Sequence, residues 1–446
     1  MPRRTVACCV ALLLLAGRDA TASPLGIPHE RFRLKNGLDV ILHADRRLPR
    51  VVVHVLYRVG SRNEPAGRSG AAHLFEHLMF SGSQNVPEKQ IDQLMERAGG
   101  WNNAYTSEDM TVYYDVGPSR LLERLLWIEA DRMATLPLAL TQRKLDLQRE
   151  VVLNERRQNY ENAPYGVAQL LLPTLLYPKG HPYSWPVIGS PSDLRAVTLR
   201  DVQELFRRFY TPRNASLVVA GDFEPAHARR LVERYFAWIP APPPVDAPHR
   251  APVSLRRPVQ RTVADRVKTP RLYLAWLSPP ALTPGDAELD LAAMLLAEGR
   301  RSRLHQALVY ERQVALDVEA RQDSGQLAST FVVEVTARPG VSRTRLLRVV
   351  ERELARFLAA PPTALELERV KNQVETAFVA GLQRVQRRAE LLNRYLALTG
   401  QPDYLGRDLA RFRRATPEAV HAASRRVIDL RRRVQLWVVP AHGAAE

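Results

Sequence analysis

The sequence predicts an α+β fold of two homologous halves, each a largely antiparallel sheet with helices packed on it. Three observations point there. A Pro-rich stretch, "IPAPPPVDAPHRAPVS" from Ile239 to Ser254, has the composition of an extended spacer and splits the chain into two parts of similar length. Two segments at a constant offset read alike, "TLRDVQELFRRFYTPRNASLVVAGDF" from Thr198 and "TPEAVHAASRRVIDLRRRVQLWVVPA" from Thr416. Each opens on a threonine suited to cap a helix, continues with helical periodicity and closes on a β-rich run; Val202 matches Val420, and Arg207-Arg208 matches Arg425-Arg426. Within each part, alternating apolar runs are interspersed with runs of helical period, the pattern of a sheet with helices beside it.

Taken in order, the first 22 residues read as a secretory signal peptide. Arg3 and Arg4 precede an apolar run from Val6 to Ala16, and the small residues Ala20, Thr21 and Ala22 form a cleavage site. The run is shorter than the roughly 20 residues a membrane span needs, so no stable span is expected. Residues 23–238 then form a first domain, 239–254 the linker and 255–446 a second domain. In "FRLKNGLDVILHAD" the pair Asn36-Gly37 separates two alternating runs, a hairpin signal. "VVVHVLYRVG" and "MTVYYDV" predict further strands. Helical spacing covers Glu88–Ala98, Arg120–Thr135, Thr141–Tyr160 and Leu199–Phe209. The Arg-rich "RRRVQLWVVP" near the C-terminus reads as an edge strand guarded by charge.

Composition narrows the function. The net charge is +17, or +15 without the three Arg and one Asp of the first 22 residues. The basic residues are spread along the chain, with no basic run interleaved with aromatics and no Gly-rich phosphate loop, so no nucleic-acid partner is expected. Both cysteines, Cys8 and Cys9, fall within the signal segment. An exported chain starting near Ser23 has no thiolate, so histidines and carboxylates must hold any metal.

The chemistry concentrates in "GAAHLFEHLMFSG", Gly70 to Gly82. Its apolar positions bury the helix, yet His73, Glu76 and His77, at i, i+3 and i+4, share one face. A buried carboxylate must be paired, hydrogen-bonded or next to a cation. Two imidazoles one helical turn apart can reach one zinc ion, and a glutamate between them can take the proton of a water activated there. A catalytic zinc needs a third protein ligand and one open position. The stretch "LDLQREVVLNERRQNYENAPYG" offers Asp146, Glu150, Glu155 and Glu161, and spacing alone does not choose among them.

"VGSRNEPAGRSGAAHLFEHLMFSGS" resembles the pitrilysin/insulinase family of zinc peptidases with the inverted H-x-x-E-H motif, as a short bacterial-type subunit similar to mitochondrial processing peptidase beta-like chains. "EVVLNERRQNYENAPYG" resembles the family's second zinc segment, "GGWNNAYTSEDMTVYYDV" its following strand, and "GRRSRLHQALVYERQVAL" the opening of its metal-free second domain. The resemblance implies one zinc ion bound by His73, His77 and Glu155, Glu76 as general base, and Asn103 and Ala104 holding substrate along a sheet edge. It also implies a homo- or heterodimer with a related chain, enclosing unfolded peptides. Two positions depart from the family pattern. Gln148 stands two helical turns before Glu155, where many relatives have an acid, and Thr330 stands about where an arginine that completes the site would fall, with Arg303 and Tyr310 nearby on a helix. A related chain is therefore expected to supply that Arg/Tyr pair. The expected function is a periplasmic or secreted zinc endopeptidase; the alternative is a non-catalytic peptide-binding or scaffold subunit.

Overall fold

The computed structural model describes residues 26–240, 243, 245 and 253–441. The predicted signal segment, both cysteines and most of the Pro-rich stretch lie outside the described residues. The first sheet is built from β1 (Glu30–Arg33), β2 (Asp39–Ala44), β3 (Arg50–Tyr57), β4 (Trp101–Thr106), β5 (Thr111–Pro118) and β6 (Ala215–Gly221). Its helices are α1 (Ala71–Leu78), α2 (Gln90–Ala98), α3 (Leu122–Ala139), α4 (Gln142–Arg156), α5 (Val167–Leu176), α6 (Pro191–Ala196), α7 (Leu199–Phe209) and α8 (Pro225–Phe236). The second sheet contains β7 (Val259–Asp265), β8 (Arg271–Ser278), β9 (Ala315–Asp323), β10 (Ser329–Ala337) and β11 (Val434–Pro440). With it come α9 (Asp286–Ala297), α10 (Arg343–Ala359), α11 (Ala364–Gly381), α12 (Val385–Thr399), α13 (Leu405–Arg414) and α14 (Pro417–Val427).

The strand orders are β1-β2-β6-β3-β5-β4 and β7-β11-β8-β10-β9. Apart from β1 they superimpose by rank. In each sheet the last strand in the chain inserts between the first of the shared pattern, which it meets in parallel, and the next, which it meets antiparallel. Thr198 and Thr416 cap the matching helices α7 and α14 as their sequences predict, each accepting a backbone N–H with its side chain. The hairpin at Asn36-Gly37 also forms, with Gly37 at φ 92°. The C-terminal strand differs from expectation. β11 lies inside the sheet between β7 and β8, and Arg433 just before it is buried with its guanidinium on Glu351 and Gln435.

The two halves cover each other. β3 and β6 are buried on both faces. One face packs on the first half's own helices; the other receives α12 from the second half, so that Ile41, Val52 and Val218 share a core with Ala389, Leu392 and Leu396. In return α5 of the first half lies on β8 and β11, with Leu172 and Leu176 against Tyr273 and Leu436. A polar node sits inside the first of these contacts. The fully buried Asn393 amide donates to His54 Nδ1 at 2.8 Å, to the His54 carbonyl at 3.0 Å and to the Ser216 carbonyl at 3.2 Å, and accepts from Ser216 Oγ at 2.5 Å. Burial holds His54 down at about 4, so the ring is neutral and accepts at Nδ1.

Candidate metal and catalytic site

The helix α1 starts from an unusual cap. Gly70 adopts φ 88°, and a Cβ there would sit 2.8 Å from the Ile188 carbonyl. With no side chain of its own to cap the helix, the first turn is served by Glu64, whose carboxylate accepts from Gly70 N–H at 3.1 Å and Ala72 N–H at 2.8 Å. The Trp185 indole donates to the same carboxylate at 2.8 Å. Burial nevertheless raises Glu64 to about 8 against these donors.

The loop that carries Trp185 also braces α4 against α1. Asp193 accepts from Ser69 N–H and Oγ, and Ser190 N–H returns to Ser69 Oγ at 3.0 Å. From the other side, Arg156 donates to the Gly189 carbonyl at 2.6 Å, and Arg149 to the Leu194 and Val197 carbonyls at 3.0 and 2.8 Å. Gly189, at φ 74°, allows the approach, since a Cβ there would meet the Ser69 carbonyl at 2.3 Å. The spacing between the two helices is thus fixed by a bracket remote in sequence from both.

Across that spacing, Glu155 Oε2 lies 3.3 Å from His77 Nε2 and 3.8 Å from His73 Nε2. Of the acids in this helical stretch, Glu155 alone joins the histidine pair. Asp146 is engaged by Gln142 and Arg149, Glu161 by Arg156, and Glu150 is exposed. Among the described residues, His73, His77 and Glu155 form the one cluster of three with ligand atoms within 4.8 Å of one another. Bond lengths of about 2.0–2.2 Å around a tetrahedral zinc put neighbouring ligand atoms about 3.3–3.5 Å apart, so the donor set and its spacing fit that ion. Burial lowers His73 to about 4, keeping the ring neutral, the form that ligates metals. Glu155 is held below the usual carboxylate range, chiefly by its hydrogen bond with His77.

Glu76, on the same helical face and 7% exposed, is pushed by burial up to about 7, with Thr106 and His77 pulling it back. Its Oε2 accepts from Thr106 Oγ1 at 2.5 Å. These groups line a cleft of about 460 Å³ whose further wall is β4, including Asn103, Ala104 and Tyr105. Among the described residues β4 is the last strand of its sheet, with one edge unpaired. Asn103 lies within this strand, with its Oδ1 accepting the Ala104 N–H at 2.8 Å. Trp101, on the same strand, is 41% exposed beneath the Arg50 guanidinium.

Other predicted residues lie elsewhere. Gln148 is half-buried on α4. Thr330 is on β10 and lines a separate cavity of about 810 Å³ between the halves. Arg303 forms a two-pronged pair with Glu366, at 2.9 Å twice, and Tyr310 stands 45% exposed beside His305. Among the described residues, none from the second half lines the metal cleft. Sequence reasoning missed Glu64 and Thr106. Strand alternation held a signal for Thr106, two residues from Ala104 and so on the same face.

Residues 39–181 match the family model described as insulinase, peptidase family M16, and residues 196–374 match the model described as the peptidase M16 inactive domain. The zinc protease PqqE of Helicobacter pylori is 30% identical over 405 residues, covering 88% of this chain and 89% of that protein. An uncharacterized zinc protease of Mycobacterium tuberculosis is 28% identical over 450 residues, covering 96% of this chain and 97% of its own. The crystal structure of a protease from Helicobacter pylori superimposes with a TM-score of 0.87 at 26% identity, covering 93% of this chain and all of the other. The chain belongs to the insulinase family of peptidases, family M16, and spans both the half that carries H-x-x-E-H and the half that lacks it.

Proposed function

We propose that the protein is a zinc-dependent endopeptidase that cleaves peptides or unfolded segments, with His73, His77 and Glu155 holding one zinc ion and Glu76 acting as general base. The observation that carries this reading is the convergence of two imidazoles and one carboxylate beside a second, separately held carboxylate. Chemistry supplied by a bound zinc would be polarisation of the scissile carbonyl and acidification of a water molecule. The free oxygen of Glu76 would be the group that takes a proton from a water in the cleft and later delivers it to the leaving amine. Burial raises this carboxyl in the metal-free site, the direction that makes a carboxylate a better proton acceptor.

Substrate would lie extended along β4, adding a strand to its open edge, with Asn103 and Ala104 in contact with the peptide backbone. Backbone pairing is indifferent to side chains, in keeping with unfolded segments as substrates. A related chain, identical or homologous, would complete the site with an Arg/Tyr pair; the engagement of Arg303 by Glu366 and the absence of second-half residues from the described cleft support this. Residues 1–22 would direct export to the periplasm or beyond, and no described helix is long and apolar enough to cross a membrane. The model described as inactive matches a region that excludes His73, Glu76, His77 and Glu155, so it does not favour the scaffold reading.

The test is peptide cleavage by the purified chain, alone and co-expressed with a related chain, alongside metal analysis. Activity should vanish with a chelator and return with zinc, and Glu76→Gln should keep zinc while losing hydrolysis. Unchanged turnover in Glu76→Gln, or an inactive wild type in both preparations, would overturn the reading.

A further inference from the structure

The hydrogen bond between Thr106 and Glu76 is short, and the surroundings fix its direction. Thr106 Oγ1 has two oxygen neighbours in reach, Glu76 Oε2 at 2.5 Å and Thr111 Oγ1 at 3.4 Å. Thr111 is fully buried and donates its own proton to the Val59 carbonyl at 2.8 Å. It therefore has none to offer Thr106, and the single Thr106 proton faces the nearer acceptor, Glu76 Oε2.

The hydroxyl is also held from behind. Thr106 is the last residue of β4 and pairs with Thr111 across the hairpin. The turn between them is closed by Ser107 N–H on the Met110 carbonyl at 2.9 Å, while Ser107 Oγ accepts the N–H groups of Asp109 and Met110. Asp109 in that turn accepts from Arg62, from the Tyr183 hydroxyl at 2.5 Å, and from Gln326 N–H of the second half at 2.8 Å. The turn end of the hairpin is thus anchored, and the branched threonine has few rotamers to choose from.

We propose that Thr106 is the positioning residue of the general base: it ties one oxygen of Glu76 and so aims the other into the cleft. Among the described residues Glu76 Oε1 has no hydrogen-bond partner, whereas Oε2 is taken. A glutamate has three rotatable bonds, and one held oxygen removes most of that freedom at the end that reacts. The proposal rests on the assignment of Glu76 as general base.

Thr106→Val keeps the shape and removes the hydroxyl; Thr106→Ser keeps the hydroxyl and loses a methyl. The valine variant should lose about 10- to 100-fold in kcat, part of the roughly 10²–10⁴ that a positioned base supplies, with KM within about twofold of wild type. The serine variant should recover to within about threefold of wild type, and both should bind zinc as the wild type does. Crystal structures of the three proteins give a readout independent of turnover: the Glu76 carboxylate should keep its place in wild type and Thr106→Ser and leave it in Thr106→Val. Equal loss in both variants, an undiminished kcat in Thr106→Val, loss of zinc, or an unmoved carboxylate in Thr106→Val would each overturn the proposal. An inactive wild type with the carboxylate moved only in Thr106→Val would instead overturn the peptidase reading and leave the positioning intact.

Discussion

Replacing Asn393 by alanine should destabilise the whole protein, because the residue stitches a second-half helix to a first-half sheet. Its side chain makes four hydrogen bonds in a site closed to water. Two of its acceptors are backbone carbonyls of β3 and β6, strands paired on both sides. The partners left stranded are the His54 ring nitrogen and the Ser216 hydroxyl. The His54 ring already carries one buried, unpartnered nitrogen, Nε2. Each stranded buried polar group costs about 1–3 kcal/mol, and the truncated side chain leaves a small void, so a loss of about 3–6 kcal/mol is expected. Against a total stability on the order of 5–15 kcal/mol that is a large fraction. The assay is urea denaturation followed by tryptophan fluorescence and circular dichroism, with trypsin digestion in parallel. The midpoint should fall, and α12 should become cleavable at Arg387, Arg388 or Arg394 before the rest of the chain. A loss under about 1 kcal/mol with α12 still protected would show that the apolar contacts of Leu392 and Leu396 hold the halves together unaided.

Three further outcomes follow from the same geometry. Glu155→Gln should weaken zinc binding by at least about 100-fold, more than the roughly 10–100-fold that loss of a supporting hydrogen bond costs, as read by competition with a chromogenic chelator; an unchanged affinity would remove Glu155 from the ligand set. Glu64, at about 8 in the fold against 4.5 when free, keeps a proton that the unfolded chain has released, so its contribution to stability is complete below pH 4.5 and is lost as pH rises towards 8. The stability advantage of wild type over Glu64→Gln should therefore shrink by a few kcal/mol, at most about 1.4 per pH unit, between pH 5 and pH 8, and parallel pH profiles would refute it. Asp109→Asn leaves one acceptor oxygen for three donors and turns an NH₂ towards them, which should cost about 2–3 kcal/mol in urea denaturation; a neutral result would mean that the Arg62–Gln326 and Tyr183–Leu327 contacts hold this junction between the halves without it.

The sequence by itself determined whatever depends on close spacing along the chain. His73, Glu76 and His77 share a face because a helix repeats every 3.6 residues, so their grouping was legible before any tertiary contact was known. Capping by Thr198 and Thr416 and the turn at Asn36-Gly37 are local in the same way. The duplication was readable because both copies kept a helix followed by a strand. Tertiary structure alone decided the rest. Four acids on one helical stretch are equivalent by spacing, and the bracket of Arg149, Arg156, Ser69 and Asp193 determines which of them faces the histidines. The C-terminal strand looked like a guarded edge because its arginines are charged, yet sheet order put it inside and buried Arg433 against Glu351. Glu64 and Thr106 serve a helix to which neither belongs, and the exchange of α5 and α12 joins residues far apart in the chain, such as Val218 and Leu392. Contacts of that kind are set by strand register and helix docking, which no periodicity within a single segment records.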